Sequence, residues 1–187
     1  MKDFKILFVH GYTASSQADF YPPLSRELGE LGIDYIIPDL PGGDYPHAQA
    51  WLETIHKSIQ QNTKPLIIVG HSLGTRAALL YIEKYNVKVE KLFLIAAFAN
   101  RVENAKRKNG AYADFFAQTV DTTKLKTHIG QSYILHSKDD SSIPFEQGEE
   151  IAKELKAELI VSENRDHFSE PTNAPYILSI LREKIGF

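Results

Sequence analysis

The chain has 187 residues, 43% of them hydrophobic and 24% charged, with a formal net charge of -3. That length suits one domain, residues 1–187, with a substantial core, and the charge offers no broad basic footprint for a nucleic acid. No cysteine is present, which excludes disulfides, thiolate nucleophiles and thiolate metal sites.

Short apolar runs alternate with helical patterns along the whole chain. Phe4 to Val9 reads as a first strand ending in the turn His10-Gly11-Tyr12. Phe20, Leu24, Leu28 and Leu31 recur at near-helical spacing, with Ser15 or Ser16 as candidate caps, Pro22-Pro23 near the helix start and Gly32 as its stop. Tyr35-Ile36-Ile37 is a second strand, closed by Pro38. Trp51, Leu52, Ile55 and Ile59 share one face of the next helix. Leu66 to Val69 is continuously apolar, as a strand covered on both faces must be. A helix over Leu73 to Tyr85 follows, then the strands Leu92 to Ala96 and Ser132 to Leu135. Ile151 and Leu155 mark a helix, Leu159 to Val161 a sixth strand, and Ile177, Leu181 and Ile185 a last helix. This βαβ repetition predicts a three-layer α/β/α sandwich around a mostly or fully parallel six-stranded sheet. Residues 98–130 break the rhythm. They carry a polar, partly basic stretch and then Tyr112, Phe115 and Phe116 at helical spacing, which makes them a candidate lid or pocket wall.

No apolar run is long enough to span a bilayer. The run after Met1 reads as a strand rather than a secretion signal, so the cytoplasm is the expected location.

Gly70-His71-Ser72-Leu73-Gly74 matches G-x-S-x-G, with an apolar strand before it and a helical pattern after it. In that context Ser72 sits on a strained strand-to-helix turn that exposes its hydroxyl at the top of the sheet. A serine hydroxyl needs a base to take its proton. His167, in Asp166-His167-Phe168, follows the last strand and is the only histidine downstream of the candidate acids. The order Ser, acid, His leaves Asp139 or Asp140 to orient it. Asp140 is favoured because Ile143-Pro144 can lock the loop behind it. The backbone N–H groups of Tyr12 and Leu73 are the expected oxyanion donors. Tyr12, His71, Phe115, Phe116 and Phe168 are candidates for the pocket lining. His10, His71, His136, Asp139, Asp140 and His167 show no recognisable metal spacing, and no glycine-rich phosphate or dinucleotide loop is present. No metal or other cofactor is expected. Arg101, Lys106, Arg107 and Lys108 read as a solvated face or as a site for an acidic partner.

With these residues assembled, the chain resembles the α/β-hydrolase superfamily and, within it, the small RBBP9/YdeN-type branch of serine hydrolases. The resemblance rests on His10-Gly11-Tyr12, on Pro38-Asp39-Leu40-Pro41 followed by Pro46 and Trp51, on Gly70 to Gly74, on Asp140 before Ile143-Pro144, and on Asp166-His167-Phe168. It covers essentially the whole chain. Gly42-Gly43 departs from the commoner asparagine-proline wording after Pro41, at the pocket wall. The resemblance implies a compact hydrolase core that lacks the two leading strands of larger relatives, and esterase-type activity. The expected activity is hydrolysis of an ester through an acyl-enzyme on Ser72, with small or medium acyl groups because the chain has little material for a large cap. The partner is a small-molecule substrate, and the sequence leaves the oligomeric state open, with a monomer as default. A thioesterase or an amidase would use the same groups. An interaction protein on a retained scaffold would instead show a blocked Ser72, with Phe115, Phe116 or Phe168 filling the entrance.

Overall fold

The computed structural model describes residues 3–100 and 110–187. Six parallel strands, β1 (Lys5–Val9), β2 (Tyr35–Ile36), β3 (Leu66–His71), β4 (Val89–Ile95), β5 (Ile129–Ser137) and β6 (Glu158–Ser162), pair in the order β2-β1-β3-β4-β5-β6. Helices α1 (Tyr21–Glu30), α2 (Ala48–Ile59), α3 (Leu73–Tyr85), α4 (Thr122–Lys126), α5 (Phe145–Leu155) and α6 (Ala174–Ile185) complete a three-layer α/β/α sandwich.

Alternate side chains of each central strand enter different cores. Leu7, Val9, Leu66, Ile68, Leu92 and Leu94 pack with α2, α3 and α5. Ile6, Phe8, Ile67, Val69, Phe93 and Ile95 pack with α1 and α6. Both faces of the sheet are thus buried, which is why these strands read as unbroken apolar runs. The middle helix, α3, is buried over most of its length, whereas α2 buries one stripe: Trp51, Leu52, Ile55 and Ile59.

Local rules differ from expectation at α1. Phe20 occupies its N-cap with no side-chain hydrogen bond, so neither Ser15 nor Ser16 caps it. The two prolines fall in the first turn, where helix N–H groups lack intrahelical acceptors anyway. Leu31 lies one residue past the helix and is 41% exposed rather than part of its buried stripe. Gly32, at φ +65°, then turns the chain into the left-handed region that glycine tolerates.

The strand order reverses between β1 and β3. In open parallel sheets such a reversal leaves a crevice beyond the carboxyl ends of the strands. The loops after β1, β3, β5 and β6 bring Tyr12, Ser72, Asp140 and His167 to this end of the sheet.

Within 98–130, residues 101–109, including Arg101, Lys106, Arg107 and Lys108, lie outside the described residues. Ala113–Phe116 forms a short 3-10 turn, followed by α4, whose N-cap Asp121 accepts the Thr123 and Lys124 N–H groups. This stretch is tied to α3 by Arg76, whose guanidinium is fully buried. It donates to the Phe115 carbonyl at 2.9 Å, to Asn100 Oδ1 at 3.1 Å and to the Gln118 carbonyl. Among the described residues no helix is long and apolar enough to cross a membrane.

Candidate active site

Ser72 is the N-cap of α3, at φ 53° and ψ -123°. A non-glycine residue held there costs about 1–3 kcal/mol and persists only when its surroundings over-determine it. The surroundings are tight. A Cβ on Gly74 would lie 2.1 Å from the Val9 carbonyl oxygen, and one on Gly70 would lie 2.8 Å from the Gly74 oxygen. Only glycine at these two places lets β3 turn sharply and α3 start against β1. Ser72 N–H donates to the Ile95 carbonyl at 3.0 Å, which fixes the turn to β4.

Ser72 Oγ is 2.9 Å from His167 Nε2, and His167 Nδ1 is 3.0 Å from both oxygens of Asp140. The Asp140 carboxylate is fully buried and also accepts the Ser142 and Ile143 N–H groups at 2.9 and 2.8 Å. Burial pushes this carboxyl upward, but the hydrogen bonds from His136, His167 and Ile143 outweigh it and hold Asp140 well below the usual carboxylate range. Asp139 points elsewhere. Its oxygens take the Ser137 hydroxyl and the Arg165 and Asp166 N–H groups, so it fastens the loop after β6 that carries His167. Asp166 returns the tie by accepting the Ser141 N–H at 2.8 Å.

The loop after β1 is built on His10. Leu40 N–H donates to His10 Nε2 at 2.9 Å, so the proton sits on Nδ1 and is donated to the Gly11 carbonyl at 2.9 Å. Burial lowers the pKa of this histidine, which favours the neutral form that such bonding requires. Trp51 Nε1–H donates to the Pro41 carbonyl, and Asp39 Oδ1 accepts the Ser16 N–H at 2.7 Å. The Pro38-to-Pro41 and Trp51 pattern therefore braces the turn that carries Tyr12. Leu73, first residue of α3, has no intrahelical acceptor for its N–H, and its peptide lies beside Ser72. Tyr12 and Leu73 both line the same cavity as Ser72.

That cavity has a volume of about 580 Å³. Its walls include Tyr12, His71, Phe98, Tyr112, Ile143 and His167. Tyr12 and His71 thus line it as expected, but Phe115, Phe116 and Phe168 do not. Phe115 is buried edge-on against Trp51, 5.1 Å between ring centroids, and Phe116 stacks outside Phe98. Phe168 belongs to the core on the α1 and α6 side. Positive φ at Asn164, Asp166 and Phe168 winds the loop so that His167 meets Ser72 while its neighbour turns into the core.

Two cavity or support groups carried no motif. Asp19 lines the cavity, and Arg76 ties α3 to the Phe115 carbonyl in the turn that follows Tyr112. A lone charge in the otherwise small and apolar start of α3 is the signal that marks Arg76. Asp19 has none.

His71 packs behind His167. Its Nε2–H donates to the His167 carbonyl at 2.8 Å, holding that backbone in place. Burial first, and then the neighbouring His167, lower the His71 pKa to about 3. An unfolded histidine titrates near about 6.5. The unfolded chain therefore binds this proton first, and the folded state loses stability as pH falls from about 6.5 toward about 3, by up to about 1.4 kcal/mol per pH unit. In His71→Gln the amide can still donate to the His167 carbonyl. Urea unfolding of the parent and this variant at pH 7 and pH 5 will show a shallower loss in the variant. Equal losses would mean that His71 is not held neutral.

A six-stranded parallel α/β sandwich with Ser, His and Asp on strand-end loops defines an α/β-hydrolase. The family model described as Serine hydrolase matches residues 6–174. The chain belongs to this serine hydrolase family, in its YdeN/RBBP9-like branch. It is 26% identical to YdeN of Bacillus subtilis (strain 168) over 184 residues, covering 95% of this chain and 94% of YdeN. The crystal structure of the ydeN gene product superposes with a TM-score of 0.84 over 98% of this chain and 99% of that one, at 25% identity. Serine hydrolase RBBP9 of Rattus norvegicus is 26% identical over 137 residues, 73% of this chain and 70% of RBBP9. A thermophilic esterase from Thermogutta terrifontis shares the fold at 17% identity, with a TM-score of 0.76 over 97% of this chain and 89% of the esterase.

Proposed function

We propose that the protein is a carboxylesterase that cleaves esters of small or medium acyl groups through an acyl-enzyme on Ser72. The observation that carries this reading is the unbroken line Ser72 Oγ–His167 Nε2, 2.9 Å, and His167 Nδ1–Asp140, 3.0 Å, opening into a cavity. Ser72 Oγ attacks the ester carbonyl while His167 Nε2 takes its proton. Asp140 keeps the other proton on Nδ1 and balances the imidazolium. The carbonyl oxygen becomes an oxyanion between the Tyr12 and Leu73 N–H groups, where the amino terminus of α3 favours negative charge. The tetrahedral intermediate expels the alcohol, which takes the proton from His167. Water, deprotonated by His167, then attacks the acyl carbonyl and returns the acid and free Ser72.

A cavity of about 580 Å³ has room for a small or medium acyl ester. Its mixed polar and aromatic walls suit a substrate with polar groups near the scissile bond.

A fluorophosphonate probe tests the nucleophile directly, because it is itself attacked by an activated serine. The parent will label, and Ser72→Ala and His167→Ala will not, while both variants keep the parental far-UV circular dichroism. No labelling of folded parent would remove the hydrolase mechanism. Matched esters, thioesters and amides then rank the bond that is cleaved.

A further inference from the structure

Asp19 is the one carboxylate among the described residues lining the cavity. It stands in the turn between β1 and α1 at φ 54°, where Ala18 N–H donates to the Ser15 carbonyl and Tyr21 N–H to the Ala18 carbonyl. Its Oδ2 lies 3.9 Å from His71 Nδ1. No described residue donates a hydrogen bond to this carboxylate.

His71 is only 2% exposed. Its Nε2 faces the His167 carbonyl, which only accepts, so the ring proton sits on Nε2 and Nδ1 presents a lone pair. That buried Nδ1 has no hydrogen-bond partner. A carboxylate and an imidazole lone pair, both acceptors, thus face each other beside Ser72. Two acceptors cannot satisfy one another, and a buried acceptor left unpaired is destabilising. A donor with two or more X–H bonds serves both at once, and one that carries a positive charge also balances the carboxylate.

We propose that Asp19 and His71 form a cation subsite that takes a primary ammonium group on the substrate, so that amino esters are preferred. The proposal rests on the hydrolase reading for its catalytic half. The 3.9 Å gap is one that two bonds of about 3 Å from a single ammonium nitrogen span. Asp19 supplies the countercharge and His71 Nδ1 a directional acceptor. Burial raises the Asp19 carboxyl, with His167 lowering it and Glu170 raising it. An arriving cation favours the ionised form and reverses that penalty.

The test compares benzyl alaninate with benzyl propanoate, which differ by the amine. The ammonium also activates the neighbouring carbonyl, so the readout is the change in the kcat/KM ratio between parent and Asp19→Asn. Asparagine tolerates the positive φ, so the turn is retained. The ratio will fall by about tenfold to a hundredfold, the worth of a charged hydrogen bond. An unchanged ratio in a turning-over enzyme overturns the subsite and leaves the hydrolase standing. Titration of the same two esters into Ser72→Ala, with and without Asp19→Asn, decides the subsite without turnover. Tighter binding of the alaninate that disappears with Asp19→Asn supports it, and equal binding of both esters overturns it. Absent fluorophosphonate labelling of the parent would sink the catalytic reading alone.

Discussion

Ester turnover by Ser72→Ala and by His167→Ala will fall by about 10⁵–10⁶-fold, and the double variant will be no slower than either single one. The two residues act as one unit. Without the imidazole the hydroxyl keeps its proton, and without the hydroxyl the imidazole has no nucleophile to activate. On the proposed mechanism the remaining rate comes from the Tyr12 and Leu73 N–H groups and from substrate binding. Independent roles would instead give multiplied losses, so steady-state kcat for the three proteins decides the point. Ser72→Gly separates chemistry from strain. It will lose turnover as fully, but it will resist urea better than Ser72→Ala by about 1–3 kcal/mol, because glycine occupies φ 53° and ψ -123° without the Cβ clash. Comparable unfolding midpoints for the alanine and glycine variants would show that the turn stores no strain.

The layered fold was legible because burial on both faces of the sheet leaves apolar runs with little competing pattern. Apolar runs understate the strands, as Leu92 to Ala96 does for Val89–Ile95, since the polar leading residues lie at the amino-terminal edge. The candidate site was legible where backbone geometry restricts residue type. Gly70 and Gly74 are needed for close approach, and a strand followed by Ser72 announces the turn. Aromatic residues carry no such restriction. Phe115, Phe116 and Phe168 suit a pocket or a core equally well by composition, and three-dimensional packing places them outside the cavity while Phe98 and Tyr112 line it. Asp19 escaped because a single carboxylate in a loop has no spacing to betray it. Its significance comes from His71, which lies 52 positions later in sequence and 3.9 Å away in space.

The adjacent pair Asp139-Asp140 gives the sharpest separation of roles by single substitutions. Asp140→Asn will lower kcat by about 10⁴-fold. The amide oxygen of this variant can still accept the Ser142 and Ile143 N–H groups, so the loop keeps its shape. The amide NH2 group then replaces Oδ2 beside His167 Nδ1 and favours the tautomer in which Nδ1 accepts. The imidazole proton moves to Nε2, on the side of Ser72, and the base can no longer take the hydroxyl proton. In the parent, the stability that ionised Asp140 contributes is present in full above the unfolded carboxylate value of about 3.9. It fades only as pH falls toward the depressed folded value, so Asp140 stays charged across the neutral range. Asp139→Asn will behave differently. It retains one acceptor for Ser137 and Arg165 and weakens the tie to the Asp166 N–H, so its urea midpoint will fall slightly and kcat will change by only about twofold to threefold. Paired kcat and urea-midpoint measurements on both variants check this. Equal kcat losses would show that either carboxylate can orient His167, whereas a large loss confined to Asp140 places the orienting role on the residue that both His167 and the Ile143 N–H hold.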